Sequence, residues 1–203
     1  MNENGTMISN VPAQSEGLLI KNGVPTIASA GEPGVNTMTG DEQLHTISVL
    51  VENRPGVLAR VSHVFARRGF NLESLAVSRT EDPTVSRMTI VVAGTEEAFD
   101  QIGKQLLKLI DIIKVIDHTR DDLVQRELAL IKVRATPQNR AEIMQIAQVF
   151  RANLVDISED TITIEVSGKE YKVDAIQRML EKFEILELVR TGRIVLTRGP
   201  KQT

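Results

Sequence analysis

A chain of 203 residues has room for one large or two small domains, and its 41% hydrophobic and 25% charged content is that of an ordinary globular protein. A formal net charge of −3 with 3% aromatic residues argues against a nucleic-acid binder, which carries a basic field and base-stacking rings. With no Cys, disulfides, thiolate chemistry and Cys-held metal sites are excluded, which fits a cytoplasmic protein, and no apolar run approaches the roughly 18–20 residues that span a membrane.

Residues 1–43 are rich in Gly, Ser, Asn, Thr and Pro, with Lys21 the only basic side chain, and read as a disordered N-terminal tail. Glu3, Glu16, Glu32, Asp41 and Glu42 argue against a transit peptide or secretory signal. From His45 the pattern changes. Ile47, Val49 and Val51 alternate with polar residues as a half-buried strand does. Val57, Leu58, Val61, Val64 and Phe65 then form one helical stripe, with Pro55 suited to its first turn and Gly69 to its left-handed stop. Strands follow over 71–80 and 85–93, separated by the turn Glu81-Asp82-Pro83-Thr84. Thr95 caps a helix whose buried side is marked by Phe99, Ile102, Leu106 and Ile110, and 112–118 is a fourth strand.

Residues 120–125 read as a solvated linker, after which the same order returns. A strand over 128–135 leads through Thr136-Pro137 into a helix with Ile143, Ile146, Ala147 and Phe150 on one side. Strands over 153–158 and 161–166 precede a helix opened by a capping box at Ser167–Glu170 and striped by Val173, Ile176, Leu180 and Phe183. Residues 185–197 close as a strand bent at Thr191-Gly192. The fold class is α+β: two consecutive βαββαβ sandwiches, each a four-stranded antiparallel sheet with two helices on one face.

The chemistry-bearing residues cluster around the first helix. Its N-terminus presents unpaired N–H groups and a partial positive charge, a natural seat for a carboxylate. Gly56 lets a ligand approach the backbone, and Asn53 offers an amide oxygen to an ammonium and an NH₂ to a carboxylate. The same Asn-Arg-Pro-Gly run is also a good turn and cap with no further role. Asn71 stands just past the helix end, at the head of a strand that lies at a sheet edge and carries Leu72, Leu75, Ala76 and Val77 without Pro. Such an edge invites another chain, and a two-fold dimer through it brings Asn71 of one copy towards the 53–57 turn of the other. His45, His63 and His118 are scattered, and with no paired carboxylates at a convincing site the chain lacks the groups of a catalytic or metal centre.

Residues 44–198 resemble the small, regulatory subunit family of acetolactate synthase (acetohydroxyacid synthase). The resemblance rests on H-T-I-S-V-L-V-E-N at 45–53, F-A-R-R-G-F-N-L-E-S-L-A-V at 65–77, D-P-T-V-S-R-M-T-I-V-V at 82–92, K-Q-L-L-K-L-I-D-I-I-K-V at 104–115, R-E-L-A-L-I-K-V at 126–133 and R-T-G-R-I-V-L-T-R-G at 190–199. It implies an ACT domain over 44–119 that binds a branched-chain amino acid, usually valine, at a dimer interface, and a ferredoxin-like C-terminal domain over 126–203. It also implies no catalytic residues here, a separate catalytic large subunit carrying thiamine diphosphate, FAD and magnesium, and feedback control of the conversion of pyruvate to 2-acetolactate. The effector contacts it implies are Asn53, Gly56, Val57 and Leu58 from one chain, with Asn71 and Leu72 from the other. Pro55 and Gln125 depart from residues common in the family, Ser and an acid respectively. The alternative is a stand-alone ACT sensor acting on a transcriptional or other enzyme partner, though no cluster of Arg or Lys on a DNA-reading helix supports it.

Overall fold

In the computed structural model, residues 18–21, 24–27 and 43–200 are described. The chain divides into two compact units, Met1–Thr39 and Gly40–Thr203. In the first, β1 (Leu18–Lys21) and β2 (Val24–Ile27) pair antiparallel. The sequence expectation of a disordered tail over 1–43 does not include this hairpin, and otherwise it lies outside the described residues, apart from Gln43 itself, where β3 begins.

The second unit holds two βαββαβ modules. The first runs β3 (Gln43–Glu52), α1 (Val57–Ala66), β4 (Leu72–Arg79), β5 (Val85–Gly94), α2 (Glu96–Leu106) and β6 (Ile112–Asp117), with its sheet ordered β4-β5-β3-β6. Alternation decides its faces: Ile47, Val49, Val51, Met88, Ile90 and Val92 point to the helices and close one core with Val57, Val61, Phe65, Phe99, Ile102 and Leu106. Because β4 pairs only with β5, it is an edge strand, as the sequence pattern predicts. The second module runs β7 (Leu123–Arg134), α3 (Arg140–Val149), β8 (Asn153–Ile157), β9 (Thr161–Gly168), α4 (Glu170–Leu180), β10 (Ile185–Arg190) and β11 (Ile194–Thr197), ordered β10-β7-β9-β8 over its own core. Its final strand is broken at 191–193, and both pieces pair with β7, β10 along 129–133 and β11 along 123–126. β7 therefore begins inside the expected linker, because β11 gives Leu123–Gln125 a ladder partner.

Several local expectations are corrected. Pro55 precedes α1 rather than opening it, since the chain turns at Gly56 (φ 81°) first. Leu58, expected in the buried stripe, is 43% exposed, and Ile110, expected on the buried side of α2, is 96% exposed because the helix stops at Leu106. Ser167 and Gly168 finish β9 instead of forming a capping box, and α4 starts without a side-chain cap. At Thr136-Pro137 the chain makes a turn in which Asn139 Oδ1 accepts from the Thr136 N–H at 2.7 Å, so α3 begins only at Arg140. Thr95 does cap α2, accepting from the Ala98 N–H at 3.4 Å.

Both modules end their first helix in the same way. At α1 the Gly69 N–H donates to Ala66 O and the Phe70 N–H to Phe65 O, with Gly69 at φ 72°. This is the six-to-one and five-to-two pattern of a Schellman cap. At α3 the equivalent bonds are Arg151 N–H to Gln148 O and Ala152 N–H to Ala147 O, and the left-handed position is Arg151 at φ 50°. An L side chain is strained there. Arg151→Gly is expected to raise the midpoint of thermal unfolding by about 2 °C, the equivalent of roughly 0.5–1 kcal/mol, in a circular-dichroism melt.

Candidate effector site

The turn between β3 and α1 is built from backbone hydrogen bonds outward. Asn53 N–H donates to Thr84 O at 2.7 Å and Asn53 Nδ2 to Pro83 O at 2.9 Å, pinning the turn to the β4–β5 loop. That loop is set by Asp82, whose Oδ1 accepts from the Thr84 hydroxyl at 2.6 Å and the Thr84 N–H at 2.8 Å, which holds its carboxyl below the usual aspartate range. Val57 N–H closes back on Arg54 O at 3.4 Å, with Gly56 at φ 81° and ψ −6°. Pro followed by a left-handed Gly is the signature of a type II turn. The amides of Leu58 and Ala59 follow in the first turn of α1, where a helix leaves its N–H groups without intrahelical partners. No acidic side chain stands in that turn.

The six residues drawn from the sequence divide by role. Asn53, Gly56, Leu58 and Asn71 are exposed, while the Val57 side chain is core at 2% exposure and Leu72 is half-buried against that core. Asn53 uses one N–H of its amide on Pro83 O of the β4–β5 loop, and its Oδ1 accepts no protein hydrogen bond among those seen, which suits a cationic group. Asn71 Nδ2 donates to Glu73 Oε1 at 3.1 Å, again leaving its Oδ1. Within one chain these two asparagines do not meet. Glu52 pairs with Val85 at one end of β5, and Leu72 pairs with Val92 at the other. Seven residue steps of strand separate those ends, roughly 23 Å.

Sequence patterning does not single out Arg60 or Asp111, which lie 51 positions apart. Arg60 Nε donates to Asp111 Oδ2 at 2.8 Å, and its Nη1 lies so close to Gly56 that a Cβ there would sit 3.2 Å away. Asp111 is buried and its carbonyl accepts from the Glu52 N–H at 2.9 Å. One guanidinium and one carboxylate thus brace the floor of the turn.

The equivalent position of the second module is closed by its own side chains. Asn139 fills the turn, and the Arg140 Nη2 donates to Ser158 O and Glu159 O at 2.8 and 2.6 Å. The scattered histidines have structural partners. His45 stacks on Phe99 at 4.1 Å and bonds Gly94 O, while His118 bonds Ser48 Oγ and Asp121 Oδ2, each at 3.0 Å; His63 is exposed. Among the described residues no three His, Asp or Glu side chains form a metal cluster, and no helix is long and apolar enough to cross a membrane.

The modules also touch each other. The Arg193 N–H donates to Ser74 Oγ at 2.8 Å, and a Cβ on Gly192 would stand 2.9 Å from that oxygen, so the 191–193 turn lies directly on β4. A cavity of about 620 Å³ opens beside this contact between Thr89 and Arg87 of the first module and Val124 and Leu196 of the second, and none of the six candidate residues lines it.

Comparison with known proteins matches both modules. Residues 47–114 fit the model of the acetohydroxyacid synthase small subunit-like ACT domain, and 126–199 that of the small subunit of acetolactate synthase. The chain is 50% identical to the acetolactate synthase small subunit of Mycobacterium leprae over 77% of this chain and 93% of that protein. It is 52% identical to a probable acetolactate synthase small subunit of Archaeoglobus fulgidus over 78% of this chain and 99% of that one. The crystal structure of the Thermotoga maritima acetolactate synthase small subunit superposes with a TM-score of 0.73 at 38% identity, covering 78% of this chain and 99% of that chain. The chain, with its ACT domain followed by a second βαββαβ module, belongs to the acetolactate synthase small-subunit family.

Proposed function

We propose that this protein is the non-catalytic regulatory subunit of acetolactate synthase, stimulating the catalytic large subunit and making it sensitive to feedback inhibition by valine. Thiamine diphosphate, FAD and magnesium belong to that catalytic partner in this reading. The observation that carries it is the open α1 N-terminus. Gly56 and the Leu58 and Ala59 amides form a seat for a carboxylate with no competing acid in the first turn. Leu58 stands exposed beside it to cover an aliphatic side chain.

The separation of Asn53 from Asn71 favours a site shared by two copies. If two β4 edges pair antiparallel about a two-fold axis, the Asn71 end of one strand lies beside the Arg79 end of the other. Arg79 pairs with Ser86, next to the strand end that holds Asn53. Asn71 and Leu72 of the second copy then complete the site, with the Asn53 and Asn71 Oδ1 atoms receiving the ammonium. Valine has few heavy atoms, and at roughly −0.7 to −1 kcal/mol per atom its Kd falls between micromolar and sub-millimolar values. Leucine and isoleucine differ from it by about 1–3 kcal/mol per methylene at such a wall.

The reading is tested by titrating the protein with valine, leucine and isoleucine calorimetrically, and by assaying the cognate large subunit with and without it. Stimulation of the synthase, reversed by valine at its calorimetric Kd, is the expected result. A large subunit whose rate ignores both the protein and valine would sink the reading.

A further inference from the structure

β4 carries one extra residue, and the second module holds the strand right beside it. From Arg79 back to Ser74 the strand keeps a single register with β5, with Ser74 opposite Val91. Leu72 then stands opposite Val92 rather than Ala93, so Glu73 is the additional residue of a β-bulge. A slip of one residue turns every side chain beyond it to the other face of the sheet. Val92 points into the core beneath the helices, and the bulge puts Leu72 on that same side, packed against the core. In an unbroken register Leu72 would meet Ala93 on the opposite face. Glu73, the bulged residue, accepts the Asn71 amide, Nδ2 to Oε1 at 3.1 Å. Asn71 and Leu72 therefore owe their orientation to the bulge.

The grip on the strand comes from the 191–193 turn. Its Arg193 N–H donates to Ser74 Oγ at 2.8 Å, at the first residue of regular register. Gly192 has φ 80°, and a Cβ on it would stand 3.2 Å from Leu75 O as well as 2.9 Å from Ser74 Oγ. Only glycine allows the turn this conformation at this distance. On its other side the turn is fastened to β7, an interior strand of the second sheet. The Thr191 N–H donates to Leu128 O at 3.0 Å, and Thr191 Oγ1 accepts from the Leu128 N–H at 3.1 Å. One short turn thus ties the middle of the second module to the edge of the bulge.

We infer that the 191–193 turn is a positioning element for the effector site: by fixing Ser74 it fixes the bulge, and the bulge aims Asn71 and Leu72. This rests on the reading of those two residues as effector contacts. Ser74 and Gly192 hold no part of the effector themselves and act through the strand. By reciprocity, valine affinity and the seating of the second module on β4 depend on each other by the same factor.

The test compares Ser74→Ala, Ser74→Thr and Gly192→Ala in the full chain by NMR, valine calorimetry and thermal melting. Ser74→Ala deletes the acceptor and adds no bulk. It is expected to move the Leu72 methyl and Asn71 side-chain amide signals of the valine-free protein, and to raise the valine Kd about two- to tenfold, the weight of one hydrogen bond. Ser74→Thr keeps the hydroxyl and should return both readouts towards the parent. Gly192→Ala drives the turn off Leu75 O and should weaken valine binding at least as much as Ser74→Ala. A merely structural role would make valine affinity follow the melting midpoint across the three variants, whereas a positioning role makes it follow the Asn71 and Leu72 signals. Signals that stay in place in both Ser74→Ala and Gly192→Ala overturn the proposal. So do signals that move while the valine Kd of the variants equals that of a valine-binding parent. Moved signals in a protein whose parent form binds no valine defeat the effector reading and leave the positioning of the bulge standing.

Discussion

Asn71→Ala is expected to bind valine about five- to hundredfold more weakly than the unsubstituted chain, and on the proposed reading a synthase holding it should keep its stimulated rate at valine concentrations that otherwise inhibit. The size follows from the loss of an acceptor to a buried ammonium, about 1–3 kcal/mol. The cost falls on binding because Asn71 is exposed in the single chain, so the melting temperature should not move. Its Nδ2 already serves Glu73 at 3.1 Å, which fixes the amide with Oδ1 turned to other partners. Glu73→Gln, which retains an acceptor for that bond, should change valine affinity far less. Mixing Asn71→Ala chains with Gly56→Val chains gives the sharper check. In a shared two-copy site, half the sites of a mixed dimer combine both lesions and half have neither, so part of the valine response returns. A site formed within one chain gives no recovery. Valine binding by Asn71→Ala equal to the parent would remove Asn71 from the site.

The fold was largely legible because both cores follow simple periods. Alternation along β3, β5, β7 and β9 and the stripes of α1 to α4 fix which faces are buried, and no long-range knowledge is needed to read them. Some errors fall where a long-range partner decides, others where a local turn sets the end of an element. The linker reading failed at Leu123 because only β11, some seventy residues later, converts that segment to strand. Ile110 has the spacing of a buried helical residue, but α2 had already ended. The candidate effector turn was half legible. Asn-Arg-Pro-Gly announces a turn with a left-handed glycine, and that much follows from φ preferences alone. Arg60 and Asp111 carry no such signature, since a pairing across 51 positions is a property of the packed sheet. Nor does sequence show that one of the two Asn53 amide N–H donors is spent on Pro83 O.

Arg190→Met should destabilise the second module by about 2–4 kcal/mol. Arg190 ends β10 and meets Glu127 of β7 through two parallel bonds, Nε to Oε1 at 2.7 Å and Nη2 to Oε2 at 2.9 Å, while Nη1 reaches Asp174 of α4 at 2.8 Å. The Glu127 hydrogen bond is the leading reason the guanidinium is held even more firmly protonated than an ordinary arginine. Glu127 is only 8% exposed, so removing its partner strands a carboxylate away from water, whereas Asp174 is exposed enough for solvent to replace the lost bond. The estimate sits below the full cost of a deeply buried pair because Arg190 itself is partly solvated. Replacing both partners, as Arg190→Met with Glu127→Leu, should recover most of the loss, since no orphaned charge remains. The two variants therefore separate charge pairing from packing in one urea-unfolding series. Their effect on regulation separates differently. The pair stands immediately before the 191–193 turn, where Arg193 N–H reaches Ser74 on β4, two residues beyond Leu72. If that contact depends on the position of β10, the Met–Leu double variant should restore stability and valine response together. If it depends on the Arg190 guanidinium itself, stability returns and the valine response does not.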